Sequence, residues 1–253
     1  MYEKLKNIRQ CYKDKGETVL LRMISKLIRK VVVLAFLCVF LFGGWLIYGG
    51  YQMYQQALDE QPVQQVLAQI ENKPNYTELA ELPQVYKNAV ISTEDHRFYT
   101  HKGIDVIAIV RALWHDIQAG SMVEGGSTIT QQLAKNQFFT QKKELTRKVA
   151  EVFMAREIER LYEKDKILEL YINSIYYGEG YYSVYDASMG YFGKKPSELS
   201  DSEATLLVGI PNAPSVYAPT ANAELGRQRQ HQVLEDMVIW GYLTQEEAAA
   251  IAL

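Results

Sequence analysis

The chain has 253 residues, 48% of them hydrophobic and 23% charged, which leaves room for one ordinary domain with an appendage and excludes both a disordered chain and a large multidomain machine. The formal charge of -3 hides an asymmetry: residues 1–30 carry nine Lys/Arg against three Asp/Glu, so that segment is +6 and the remainder is -9. An acidic remainder lacks the basic face that releases counterions from a phosphate backbone, so no nucleic-acid partner is expected.

In chain order, the basic segment 1–30 is followed by an apolar run over 31–54 in which no charged residue appears until Asp59. Roughly 20 helical residues cross a hydrocarbon core, so this run is long enough to span a membrane. Trp45, Tyr48, Tyr51 and Tyr54 crowd its far end, and Arg29 and Lys30 close its near end. The Lys/Arg excess puts residues 1–30 in the cytoplasm and the rest outside, a single-pass type II anchor. A cleaved signal peptide and a buried core helix are the competing readings; the length of the run and the lack of an A-x-A-like site favour the anchor. Of the two cysteines, Cys11 and Cys38, neither lies beyond residue 50, so the exported part can build no disulfide framework, thiolate zinc site or Cys nucleophile.

Residues 55–82 are polar and Gln-rich, with Pro62, Pro74 and Pro83 breaking any long helix, and read as a stalk leading into a domain over 83–253. Within it, a helix begins around Pro83. Another runs from Asp105, its N-cap, to Gly120, with Val106, Ile109, Val110, Leu113 and Ile117 at helical spacing. Ser127 can cap a short helix over 128–136. Longer helices follow over about 142–163 and 165–175, then one ending at Gly193. Ser200 and Glu203 form a capping box before the next, and Thr244 and Glu247 repeat the device. The fold class is mainly α.

Three segments concentrate chemistry. STEDHRFYTHKG (92–103) gathers Glu94, Asp95, His96, Arg97 and His101 at a helix end beside Phe98 and Tyr99; its spacing is not HExxH, so a His-ligated zinc site is disfavoured. EGGSTITQQLAKN (124–136) pairs two glycines with a helix start able to hold an anion, and places Gln131 with Lys135 and Gln132 with Asn136 at i,i+4. It is not a P-loop, because it lacks GxxxxGK[ST]. In the third, residues 145–173, Arg147 (i,i+4) and Lys148 (i,i+3) can flank Glu151 on one helix face. Each alone reads equally as a solvated surface.

Together and in this order, EDHRFYTHKG (94–103), GGSTITQQLAKN (125–136), RKVAE (147–151), KILELYIN (166–173), ASMGYFGK and PNAPSVYAP resemble the peptidoglycan glycosyltransferase family. Its members are the monofunctional biosynthetic transglycosylases and the N-terminal domains of class A penicillin-binding proteins. The resemblance covers about residues 83–220. It implies a lysozyme-like helical domain with a smaller membrane-apposed lobe, polymerisation of lipid II into glycan strands, release of a polyprenyl pyrophosphate and sensitivity to moenomycin. It assigns Glu94 as general base on the acceptor's 4-hydroxyl and Glu151 a place near the donor pyrophosphate. Asp95, Phe98, His101, Ser127, Thr128, Gln131, Gln132, Lys135, Asn136, Lys143, Arg147 and Lys148 match its substrate-binding positions.

The chemistry is consistent with those roles: an attacking hydroxyl needs a base, and a lipid pyrophosphate leaving group needs cations and hydrogen-bond donors but no proton. In-line displacement of an α-linked phosphate gives a β-linked, inverted product. No cofactor is obligatory, and Mg2+ or Mn2+ stays open. The implied partners are lipid II, the growing lipid-linked chain, the bilayer, and cell-division or cell-wall synthesis proteins; the implied location is the bacterial inner membrane with the catalytic domain on the periplasmic side. The Val106–Ile117 helix, with Trp114 and the nearby Met122, reads either as part of the bilayer-dipping lobe or as a plain core helix. With no S-x-x-K or K-T-G in the sequence, penicillin binding is not expected and the enzyme reads as monofunctional. A lytic transglycosylase or lysozyme-like hydrolase, and a catalytically idle lipid II-binding scaffold, are the alternatives.

Overall fold

The computed structural model describes residues 1–120, 125–140 and 144–252, which divide into two compact units at Gly49/Gly50. Lys143 and Met122 lie outside the described residues, as does the side chain of Leu113.

The first unit is the N-terminal part of α1 (Tyr2–Glu60), the one helix among the described residues that is long and apolar enough to cross a membrane. Its apolar side chains are exposed all round: Leu34, Phe36, Val39, Phe40 and Phe42 touch no core. The described side chains of this apolar stretch are not buried by the rest of the chain, which disfavours the core-helix alternative.

The regular structure of the second unit is all helical, with no strand among its described residues. After the last turns of α1 come α2 (Val63–Glu71), α3 (Gln84–Glu94), α4 (Val106–Ala119), α5 (Ile129–Phe138), α6 (Leu145–Leu161), α7 (Lys164–Ile172), α8 (Val184–Phe192), α9 (Asp201–Gly209), α10 (Pro214–Tyr217), α11 (Ala223–Ile239) and α12 (Gln245–Ile251). The helix signals in the sequence act where they stand. Asp105 accepts from the amides of Ile107 and Ala108, and Gly120 closes α4 in the left-handed conformation. Ser183 caps α8, Gly193 ends it, and the Ser200/Glu203 and Thr244/Glu247 capping boxes both form. Pro62 ends the first helical stretch, but residues 55–82 are not a free stalk: Val63, Leu67 and Ile70 on one face of α2 are buried in the core. At about 1.5–3 kcal/mol for each buried aliphatic side chain, that face holds the segment to the domain.

Two packing groups position the site. Helices α3, α9 and α11 pack on one another, and α5 packs between α6 and α7. One continuous core joins them through Val90, Phe98, Ile129, Leu133, Met154, Ile158, Leu168, Tyr171, Leu207 and Leu234. Helix α4 is the exception. Val106, Val110, Trp114 (61%) and Ile117 (74%) are exposed, so the plain-core-helix reading of this segment does not hold.

Candidate active site

Glu94 is the last residue of α3, and Asp95 leaves the helix with φ -163, so the two carboxylates diverge at the helix end. Glu94 is half-buried and accepts from the Gln132 side-chain amide at 2.6 Å. The orientation of that amide is set from behind: the Tyr171 hydroxyl donates to Gln132 Oε1 at 3.2 Å. Burial pushes the Tyr171 pKa well above its ordinary value, so the phenol stays a donor. Asp95 turns the other way. Its carboxylate accepts from His101 Nε2 at 3.0 and 2.9 Å, and from the backbone amide of Ile129, the first residue of α5, at 3.1 Å. A buried carboxylate facing a helix start is favoured by the helix dipole, and here it ties the end of α3 to the start of α5.

The start of α5 is built by Thr128 rather than Ser127. The Thr128 hydroxyl accepts from the Gln131 amide at 3.1 Å, and the Gln131 side chain accepts from the Thr128 amide at 3.1 Å, a reciprocal capping box. The same hydroxyl donates to the Gly103 carbonyl at 2.7 Å. Gly103 has φ +84, and a Cβ there would lie 3.0 Å from the Ala155 carbonyl oxygen, so this position needs glycine. With its cap fixed, α5 presents Gln132 and Lys135 on one face.

Glu151, on α6, is 1% exposed, and its two oxygens are taken separately. Arg147 Nη1 donates to Oε1, and Lys148 Nζ donates to Oε2 at 2.9 Å. Lys148 also reaches Ser127 Oγ at 2.5 Å. Burial lowers the Lys135 pKa, with the nearby Glu151 opposing. The result is a cationic face, Lys135 and Lys148 with Ser127, backed by one buried carboxylate.

A cleft of about 660 Å³ opens beside these groups; Lys135 and Ser127 line it, whereas Arg147, Lys148 and Glu151 stand behind its lining, Lys148 reaching it through Ser127. Glu94, Asp95, Ser127, Thr128, Gln132 and Lys135 line one wall, together with Gly125 and Gly126. The rest of the lining comes largely from α11 with its C-terminal flank and from α4, whose residues carry no signal in the sequence for the site. His96 stacks flat on Trp240 at 3.6 Å between ring centroids, and Arg111 Nη1 lies 3.3 Å from His96 Nε2. Burial and Arg111 together lower the His96 pKa. Asp236, on the same turn of α11, is pushed up to about 6, mainly by burial. No spacing signal could have found these residues, because Trp240 and Asp236 stand about 140 positions from Glu94 and meet it only through the packing of α11 on α3.

Several residues expected to contact substrate do not line this cleft. Phe98 is fully buried in the core, edge-on to His101, and does not line the cleft. His101 is bonded to Asp95, and Gln131 to the α5 cap, and neither is in the cleft's lining. Gln131 and Lys135 therefore do not project together as their i,i+4 spacing implied. Asn136 is half-buried and outside the lining, and Lys143 lies outside the described residues. Among the described residues no three His, Cys, Asp or Glu side chains gather as a metal-ligand set, and both Glu151 oxygens carry cations.

A family model described as "Transglycosylase" matches residues 59–238. Penicillin-binding protein 1F of Bacillus subtilis (strain 168) is 46% identical over 168 residues, 66% of this chain and 24% of that protein. Penicillin-binding protein 1A of Aquifex aeolicus (strain VF5) is 48% identical over 172 residues, 68% of this chain and 24% of that protein. A crystal structure of Penicillin-Binding Protein 1A from Haemophilus influenzae is 23% identical with a TM-score of 0.41, covering 70% of this chain and 17% of that one. The chain spans about a quarter of the length of the curated relatives it matches.

Proposed function

The chain belongs to the transglycosylase family, and from that premise we propose that it is a membrane-anchored peptidoglycan glycosyltransferase that polymerises lipid II. The observation that carries the reading is the pairing, beside one helix, of a half-buried carboxylate held by a neutral amide (Glu94 with Gln132) and a cationic cluster backed by a buried carboxylate (Lys135, Arg147 and Lys148 around Glu151).

In this reaction Glu94 takes the proton from the acceptor sugar's 4-hydroxyl as its oxygen bonds to the donor's anomeric carbon. The bond from that carbon to the pyrophosphate oxygen breaks, and its electron pair leaves with the lipid pyrophosphate. Gln132 fixes the orientation of Glu94, and Tyr171 fixes that of Gln132. Lys135 and Lys148 receive the departing charge, with Ser127 as a hydroxyl donor. The leaving group needs no proton, so Glu151 is not a general acid; its role is to hold Arg147 and Lys148 in place. Attack opposite the leaving group inverts the anomeric carbon.

The apolar part of α1 anchors the chain in the inner membrane with the catalytic unit outside, and the exposed apolar face of α4, with Val106, Val110, Trp114 and Ile117, is the membrane-apposed lobe. A substrate whose lipid stays in the bilayer requires both. The test is conversion of labelled lipid II by detergent-solubilised full chain, followed by muramidase digestion. Muramidase-sensitive polymer from the wild type and none from Glu94→Gln supports the reading. Release of fragments from preformed glycan without polymer would replace it with a lytic enzyme, and neither activity from folded protein would leave the scaffold.

A further inference from the structure

A second cavity, about 850 Å³, opens on the catalytic unit among residues 51–55, 99–102 and 153–164 and shares no lining residue with the catalytic cleft. One wall is aromatic. Tyr51 and Tyr54, from the last turns of α1, pack on Phe153 of α6 at ring-centroid separations of 5.5 and 5.8 Å. The other wall is cationic. Arg160 is paired with Glu157, and Lys164 with Glu159, but Lys102 and Arg156 are exposed and have no carboxylate partner among the described residues. Glu163 is the single lining carboxylate left without a cation, so the cavity keeps a surplus of positive charge.

The aromatic wall fixes the depth. Tyr51 and Tyr54 end a run that carries no charge from residue 31 to residue 58, so where α1 spans a membrane they stand at the headgroup level, as interfacial tyrosines do. A pocket with an aromatic side at that depth and two unpaired cations matches an amphiphile with an anionic head. A free phosphate would gain nothing from Tyr51, Tyr54 and Phe153. His101 adds a second observation. It is nine-tenths buried, lines this cavity, spends Nε2 on Asp95 and leaves Nδ1 without a partner among the described residues. An occupant would therefore touch the residue that holds Asp95, the neighbour of Glu94.

We propose that this cavity binds the phosphodiester headgroup of an anionic glycerophospholipid of the surrounding bilayer, with Lys102 and Arg156 on the phosphate and the α1 tyrosines and Phe153 against the glycerol and upper acyl chain. The proposal rests on the reading of α1 as a membrane anchor. It is tested on the full chain by native mass spectrometry against phosphatidylglycerol and phosphatidylcholine, with wild type and Lys102→Gln/Arg156→Gln. Both substitutions are at exposed positions, and the basic segment 1–30 is common to the two proteins, so its own attraction for anionic lipid cancels in the comparison.

The double variant is expected to bind phosphatidylglycerol on the order of tenfold more weakly, with phosphatidylcholine unchanged. In vesicles, a headgroup-photoreactive phosphatidylglycerol is expected to label wild type within 99–102 or 153–164. Equal phosphatidylglycerol affinity in the two proteins, or adducts confined to residues 1–30, would overturn the proposal while leaving the anchor intact. Failure of the wild type to float with vesicles would instead overturn the anchor.

Discussion

Glu94 and Glu151 both stand near Lys135 of helix α5 and are held in opposite ways. Glu94 sits at a helix end, half-buried, with one neutral amide on one oxygen. Glu151 lies mid-helix, sealed from solvent, with a guanidinium and an ammonium on its two oxygens. A carboxylate with a spare oxygen facing a cleft can exchange a proton; one whose oxygens are both committed to cations is a fixed countercharge. The same side chain serves two purposes because its neighbours differ, and substitutions that erase the difference should have unequal costs.

The largest expected effect follows from removing the proton acceptor. Glu94→Gln keeps the shape and the contact with Gln132 but cannot take a proton; turnover of lipid II should fall by about 10²–10⁴-fold with unchanged thermal unfolding. Next is Glu151→Gln, which leaves Arg147 and Lys148 without their countercharge. Urea titration should show a loss of about 3 kcal/mol, reduced to the extent that Lys148 reaches solvent, together with weaker binding of the pyrophosphate-bearing donor.

Thr128→Ala removes the α5 cap and its bond to Gly103. It should cost about 1–2 kcal/mol in the same titration and raise the KM for lipid II, because Gln132 and Lys135 ride on that helix. The smallest effect lies on the far wall. Burial holds the Asp236 pKa at about 6, above the usual 3.8, so the folded state binds this proton more tightly than the unfolded chain. Stability from this group is therefore gained as pH falls from about 6 toward 4 and is absent at pH 7. Asp236→Asn should flatten that rise and stabilise the protein at pH 7 by at most about 1 kcal/mol, read from unfolding midpoints across pH.

The same contrast explains what could be read from sequence. The Glu151 clamp is local: Arg147 and Lys148 sit at i-4 and i-3 on one helix, so spacing alone brought the three together, and helix caps such as Asp105, Ser200 and Thr244 are equally short-range. The surroundings of Glu94 are not local. Gln132 and Tyr171 reach it from helices 38 and 77 positions away, and the wall formed by Asp236 and Trp240 comes from the end of the chain. Matching by type also does not separate residues that line the cleft from those that lie behind it. Phe98 is packed in the core, His101 is bonded to Asp95 and Gln131 closes the α5 cap, and none of the three lines the cleft. The segment 55–82 read as a stalk because its polar face dominates the composition, while Val63, Leu67 and Ile70 hide the face that packs.

The central claim is that one carboxylate moves a proton and the other holds charge. It is tested most directly by measuring donor binding and single-turnover rate side by side for wild type, Glu94→Gln and Glu151→Gln with a lipid II analogue. The account predicts that Glu94→Gln binds like wild type and does not turn over, whereas Glu151→Gln binds the donor at least tenfold more weakly. Glu94→Gln turning over at the wild-type rate, or Glu151→Gln binding with unchanged affinity, would contradict it.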